Sequence, residues 1–364
     1  MKRGICILLI IFCGFSLVSC AGISVNEYKT SANIGAKEFD TEKAVDIATE
    51  YVKNLRDKKY GESEKLFSDK LKEMIRSKEH DENLEVSGYS VDKVEELTKS
   101  IKVTLKVTRT DKTKPFTSLE ELSMTVINED DNYSIDKIES KLKKEVFVVD
   151  DDVRIRNEDN IEDFLLIRRS AIPSFILDKE NPLSMSKVKL ENNKLARLNM
   201  DFSGEHMAIT TEDINTMVAS INIDETLMTA AKEKGDSKGE EKGQEDGSKK
   251  EKPVGKEIKV LGLIKDGKVD FLTYSEDNLY LIVQYKKELS DMLKVYDIEN
   301  AEELKFSFDK NFDRSKFNLI YKGSDKENMK FIVNKKEGAV LSSDEEEALG
   351  VYSIEFRTLE INKI

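Results

Sequence analysis

The chain has 364 residues, of which 38% are hydrophobic and 36% charged, with a formal net charge of -13. That length leaves room for two domains at about 150 residues each, and the hydrophobic share excludes a wholly disordered chain. The acidic balance argues against nucleic acid, and against adhesion to anionic headgroups, as the basis of function.

In residues 1–20 two cations, Lys2 and Arg3, precede an apolar run from Ile5 to Phe15, which closes on Leu17, Val18, Ser19 and Cys20. A cationic start, a short apolar core and small residues before a cleavage point predict a secretory signal. The run is shorter than the roughly 20 residues a spanning helix needs. Leu17, Val18, Ser19 and Cys20 resemble the lipobox of bacterial lipoproteins of the Gram-positive type. The resemblance implies that Cys20 is the lipid-attachment residue, carries a diacylglycerol and becomes the first residue of the mature chain. Without Lys2 and Arg3 that chain stands at -15. Its expected place is the extracytoplasmic face of the cell membrane, held by lipid. Cys6, Cys13 and Cys20 are the only cysteines, so the mature chain is expected to fold without disulfides.

Residues 21–38 show no sustained periodicity and are expected to be a flexible tether. Asp40 or Thr41 then offers an N-cap, and Ala44, Ile47, Ala48, Tyr51, Val52 and Leu55 recur on one face of a helix. Residues 57–61 break the pattern, and Leu66, Phe67, Leu71, Met74 and Ile75 predict a second, shorter helix. From Leu84 the period changes to two. Short strands at 84–86 and 89–91 precede the alternation of Ile101, Val103, Leu105 and Val107, then of Leu122, Met124 and Val126, and finally Tyr133, Ile135 and Ile138. A long helix, a marked break, a second helix and then a meander resemble the layout of NTF2-like, or cystatin-like, domains. The resemblance covers residues 40–144 and implies an α+β domain at 39–145 in which helices pack on a curved antiparallel sheet around a conical pocket.

Residues 146–364 read as β-rich. Four stretches look like copies of one unit, at 157–167, 202–209, 275–283 and 324–333, and the last three are each followed by a second strand. The spacing suggests repeats of about 40–50 residues. FSGEHMAI and YSEDNLYLIV, the latter followed by LKVYDI, resemble the strand-turn-strand core of WD40-like blades. That resemblance implies a propeller-like domain, and a sandwich is the other expectation. Residues 232–252 contain no apolar side chain and are expected to form a disordered charged insertion at about 230–255.

No cofactor or metal set emerges from the residues. His80 and His206 are the only histidines, Asp150, Asp151 and Asp152 read as an acidic turn, and Glu120–Glu121 and Glu345–Glu347 are carboxylate runs of a kind common in so acidic a chain. Ser203 and His206 lie close in sequence, but a turn before a strand does not make them a catalytic pair. Tyr274, Tyr280, Tyr285 and Tyr296 are strand residues first and a recognition surface second. No catalytic residue is assigned. The expected function is non-catalytic, a membrane-anchored binding or scaffold module for an envelope protein or cell-wall polymer. Behind it stand a small-ligand carrier or sensor using the NTF2-like pocket, and a cell-wall hydrolase.

Overall fold

In this computed structural model the described residues are 39–75, 82–130, 132–158, 160–177, 187–192, 194–212, 214–228, 251–306 and 308–364. The predicted signal with Leu17, Val18, Ser19 and Cys20, the tether, His80 and residues 229–250 of the charged insertion lie outside them. Residues 39–364 belong to one compact unit.

Helix α1 (Thr41–Arg56) starts where the Asp40 carboxylate accepts the Lys43 N–H, and it buries Ala44, Ala48, Thr49 and Val52 on one face. A left-handed Lys58 ends it. A short helix, α2 (Tyr60–Lys65), begins inside the break expected at 57–61, and of the helix expected from Leu66 to Ile75 only α3 (Asp69–Met74) forms. Between them Phe67 pairs with Ile135, and the Ser68 hydroxyl caps the new helix by accepting the Leu71 N–H.

Six antiparallel strands follow in sequence order: β1 (Leu84–Leu97), β2 (Ser100–Asp111), β3 (Phe116–Glu129), β4 (Asn132–Val149), β5 (Asp152–Asn157) and β6 (Phe164–Ile167). The two short strands expected at 84–91 are one strand whose register slips between Val86 and Gly88. At 18 residues, β4 extends roughly 60 Å at about 3.3 Å per residue. Its two ends serve different cores. Ile135 joins Val103, Leu105 and Met124 beneath Ala44, Ala48 and Val52 of α1. Val146 joins Leu119, Ile155 and Leu166 against the next sheet. Between them Glu139 to Lys143 face mostly solvent, and Glu139 to Leu142 remain paired to β3 while the register slips at Lys143.

After a small ribbon of β7 (Phe175–Leu177) and β8 (Lys187–Lys189) come three four-stranded antiparallel meanders. The first contains β9 (Leu195–Met200), β10 (His206–Thr211), β11 (Thr216–Ile223) and β12 (Gly255–Ile264). The second contains β13 (Gly267–Tyr274), β14 (Tyr280–Lys287), β15 (Ser290–Asp297) and β16 (Glu302–Glu303). The third contains β17 (Phe317–Ser324), β18 (Asn328–Lys335), β19 (Gly350–Glu355) and β20 (Ile361–Lys363), with α4 (Phe308–Asn311) before it and α5 (Ser343–Glu347) within it. Ile223 lies opposite Gly255, so the charged insertion leaves and re-enters one hairpin. A third core joins Phe202 and Val218 of the first meander to Tyr274, Val283 and Val295 of the second and Leu319, Phe331 and Phe356 of the third.

The expected α+β NTF2-like domain followed by a propeller-like or sandwich domain is corrected by this architecture. Strands dominate the described chain from residue 84 onward, and every described helix after α1 has six residues or fewer. The helix expected from Leu66 to Ile75 is cut to Asp69–Met74, because Phe67 is drawn into a strand pairing with Ile135. Of the four expected repeat units, three cover the first turn and the start of the second strand of the three meanders. The first, at 157–167, instead ends β5 and begins β6 at the edge of the six-stranded sheet.

Candidate functional site

The six-stranded sheet meets the meanders at a buried polar junction. At the β1 register slip Ser87 is fully buried; its hydroxyl lies 2.9 Å from Thr108 Oγ1 and donates to Asn199 Oδ1 at 3.2 Å. The Asn199 amide donates in turn to the Leu272 carbonyl at 2.6 Å. Three segments distant in sequence are thereby tied by groups that are costly to leave unpaired. Beside them Gly88 leaves no room for a side chain, since a Cβ there would sit 2.5 Å from Thr273 Oγ1 and 2.9 Å from the Phe202 ring. Arg197 completes the junction by donating to the carbonyls of Asp270, Asp111 and Lys112.

Two cavities open around this junction and meet at Arg56, Tyr321 and Lys322. One, of about 390 Å³, runs from Thr49 and Lys53 on α1 past Tyr89 to the turns carrying Glu276 and Asp325. The other, of about 510 Å³, is lined by Glu85, Lys112, Arg197, Phe271, Lys286 and Asp291 among others. Together they form a groove floored by aromatic rings. The Tyr321 ring stacks on Phe271 at 5.4 Å between centroids, its N–H donates to the Gln284 side chain, and its hydroxyl lies 3.0 Å from Ser324 Oγ. Burial pushes the Tyr89 phenol up to about 12 and raises that of Tyr321, so both stay neutral and hydrogen-bonding at physiological pH.

The groove gathers seven cations, Lys53, Arg56, Lys112, Arg197, Lys286, Lys322 and Lys330, against six acids, Asp57, Glu85, Asp270, Glu276, Asp291 and Asp325. In a chain at -13, that is a local reversal of the balance. Lys286 pairs with Asp270 at 3.1 Å and lies 3.9 Å from Asp291; hydrogen bonding to Asp270 raises the Lys286 pKa. Burial raises the Asp291 carboxyl against the opposing pull of Lys286. Glu85 pairs with Lys58 and Lys112, and Asp57 with Arg56. Such paired carboxylates suit holding a charged partner better than abstracting a proton.

The residues weighed in the sequence are placed elsewhere. Ser203 Oγ donates to Asp201 Oδ2 at 2.6 Å and His206 Nδ1 lies 2.9 Å from the same oxygen. Serine and histidine therefore share a carboxylate in a structural turn, and the serine is not hydrogen-bonded to an activating imidazole. Asp150 and Asp151 are consecutive left-handed turn residues; Asp151 pairs with Arg169 at 2.6 Å and Asp152 accepts the Arg169 N–H. Glu120 pairs with Arg109 at 3.0 Å, and Glu345 with Lys316 while closing the capping box of α5. Tyr274, Tyr285 and Tyr296 are buried, and Tyr280 stacks on Phe356 at 4.4 Å, so these tyrosines belong to the core. The groove residues Arg56, Tyr89, Arg197, Phe271 and Tyr321 were not singled out by sequence. Gly88 inside an alternating strand was the one available signal, marking a close backbone approach.

No protein-family model and no curated protein matches the chain.

Proposed function

We propose that the protein is a lipid-anchored, extracytoplasmic binding module that holds a polypeptide segment of an envelope partner in the groove around Arg56 and Tyr321, without chemical turnover. The address rests on the lipobox-like Leu17-Val18-Ser19-Cys20 behind Lys2, Arg3 and an apolar run. The binding role rests on one observation: cations and acids of α1, β1 and the second and third meanders converge on an aromatic-floored groove. Tyrosine and arginine beside paired charges of both signs suit a polypeptide of mixed charge, since aromatic and guanidinium groups carry much of the energy at protein interfaces.

Two measurements test the two halves. Cys20→Ser is expected to move the protein from the membrane fraction to the medium; a variant that stays with the membrane removes the address. A photo-crosslinking residue at position 330 in intact cells is expected to capture a discrete polypeptide, and capture is expected to disappear when Lys53→Glu and Lys322→Glu are combined. A cell-wall polymer as occupant would give no crosslinked polypeptide and would make the chain sediment with purified wall. Turnover of a substrate, abolished by substitutions at the groove carboxylates, would overturn the non-catalytic reading.

A further inference from the structure

A second concavity, separate from the groove, lies where β12, β14 and β15 meet the segment leading into α4. It encloses about 330 Å³, near the lower end of small-molecule sites, which run about 300–1,000 Å³. Its inner lining includes the apolar side chains of Met292, Phe306 and Phe308, while polar groups supply most of the surface it exposes. Its rim is cationic: the described lining side chains bring Lys265, Lys287, Lys294 and Arg314 against Glu303.

Lys294 is engaged by Glu303 at 2.7 Å and is largely buried. Lys287 and Arg314 have no ion-pair partner among the described residues. Gathering cations beside apolar side chains is unfavourable unless an anion offsets their repulsion, and the same side chains strengthen the attraction once an anion arrives. A strongly hydrated anion would satisfy the rim and leave the apolar lining wet. A neutral apolar molecule would do the reverse.

We propose that this cleft binds a small free amphiphilic anion, one carboxylate or comparable acid group on a short apolar body, with the acid group between Lys287 and Arg314 and the body against Met292, Phe306 and Phe308. The site is independent of the groove and of the anchor.

The probe is decanoate, titrated calorimetrically into the purified full-length chain below its micelle concentration, with decanol and inorganic phosphate as comparison ligands. Decanoate is expected to bind at least tenfold more tightly than either, and to weaken as salt is raised from low to high ionic strength. Lys287→Ala combined with Arg314→Ala is expected to weaken decanoate at least tenfold with the thermal midpoint unchanged, whereas Lys326→Ala, an exposed lysine that does not line the cleft, leaves it as it was. Glu303→Gln, which removes the described rim acid, is expected to tighten binding and so tests the charge from the other side. Equal affinity for decanol, equal affinity for phosphate, or a double variant that binds decanoate as the native chain does would each overturn the proposal. Vesicles of phosphatidylglycerol form the last arm: chain that co-sediments with them through Lys287 and Arg314 but ignores free decanoate would assign the cations to a bilayer headgroup and overturn the free-ligand site.

Discussion

The turns that open the hairpins of the first two meanders share a backbone and differ in what holds it. In residues 201–206 the Asp201 N–H donates to the His206 carbonyl at 3.0 Å and the Gly204 N–H to the Asp201 carbonyl at 3.2 Å. In residues 275–280 the same two bonds run from Ser275 to Tyr280 at 2.8 Å and from Asn278 to Ser275 at 2.9 Å. Gly204 and Asn278, each three residues into its turn, are both left-handed. The side chains diverge. In the first turn one buried carboxylate, Asp201, accepts from the Glu205 and His206 N–H groups and from Ser203 and His206 side chains. In the second the work is divided: Ser275 Oγ accepts the Tyr280 N–H and donates to Asp277, which accepts the Leu279 N–H. The i+3 position differs for a reason of space. Lys144 reaches from β4 to donate to the Gly204 carbonyl at 2.7 Å, where a Cβ would collide with it. Asn278 instead uses its side chain to accept the Phe202 N–H at 2.9 Å, joining one turn to the other.

A single carboxylate at the centre of one turn and a hydroxyl-led relay in the other should fail differently. The largest effect is expected from Asp201→Ala. It leaves two backbone N–H groups and an imidazole without their acceptor inside the protein, at a cost of about 3–5 kcal/mol. A urea unfolding curve should show this as a lower midpoint with an unchanged slope. A loss below about 1 kcal/mol would mean that water replaces the carboxylate and that the two turns are equivalent after all.

Gly88→Ala comes next, because it strikes both turns at once. The added methyl meets Phe202 of the first turn and Thr273 just before the second, and overpacking of that kind costs about 1–3 kcal/mol. The same urea midpoint reads it. A neutral result would show that the six-stranded sheet and the meanders can separate slightly without penalty. Ser275→Ala removes one neutral acceptor whose backbone turn bonds remain, and about 1 kcal/mol is expected. A loss matching that of Asp201→Ala would refute the division of labour between Ser275 and Asp277.

The sequence displayed much of this turn chemistry and little of what it connects. FSGEH and YSEDN were visible as related units because polar turn residues and the strands after them are contiguous. The α1 face of Ala44, Ala48 and Val52 was visible for the same reason. The α+β expectation failed at Phe67, whose pairing with Ile135 depends on a strand nearly seventy residues away, and at the run of charges from Glu139 to Lys143. The domain was expected to end at residue 145, which lies inside β4, a strand whose solvated middle joins ends that enter two cores. The groove was not legible because Arg56, Tyr89, Arg197, Phe271 and Tyr321 come from α1, the six-stranded sheet and three separate meanders, and no spacing in the chain encodes their meeting.

The smallest predicted effect separates the turns by pH. Hydrogen bonding to Asp201 raises the His206 pKa, Glu205 adds to it, and partial burial and Lys259 oppose it. The folded value therefore lies above the unfolded one, near 6.5. Stability from the charged pair is fully present below pH 6.5 and is lost as pH rises through the folded pKa. His206→Gln should accordingly lower the melting temperature most at pH 5.5 and progressively less toward pH 8.5, while Ser275→Ala, which removes a hydroxyl that does not titrate, should show a constant decrement over that window. The chain has two histidines, so proton NMR should resolve two imidazole titrations, and the resonance lost in His206→Gln should be one titrating above 6.5. If that resonance titrates below 6.5 instead, Asp201 acts on His206 as a neutral acceptor would. The charge at the centre of the first turn would then serve the backbone alone, as Ser275 does in the second.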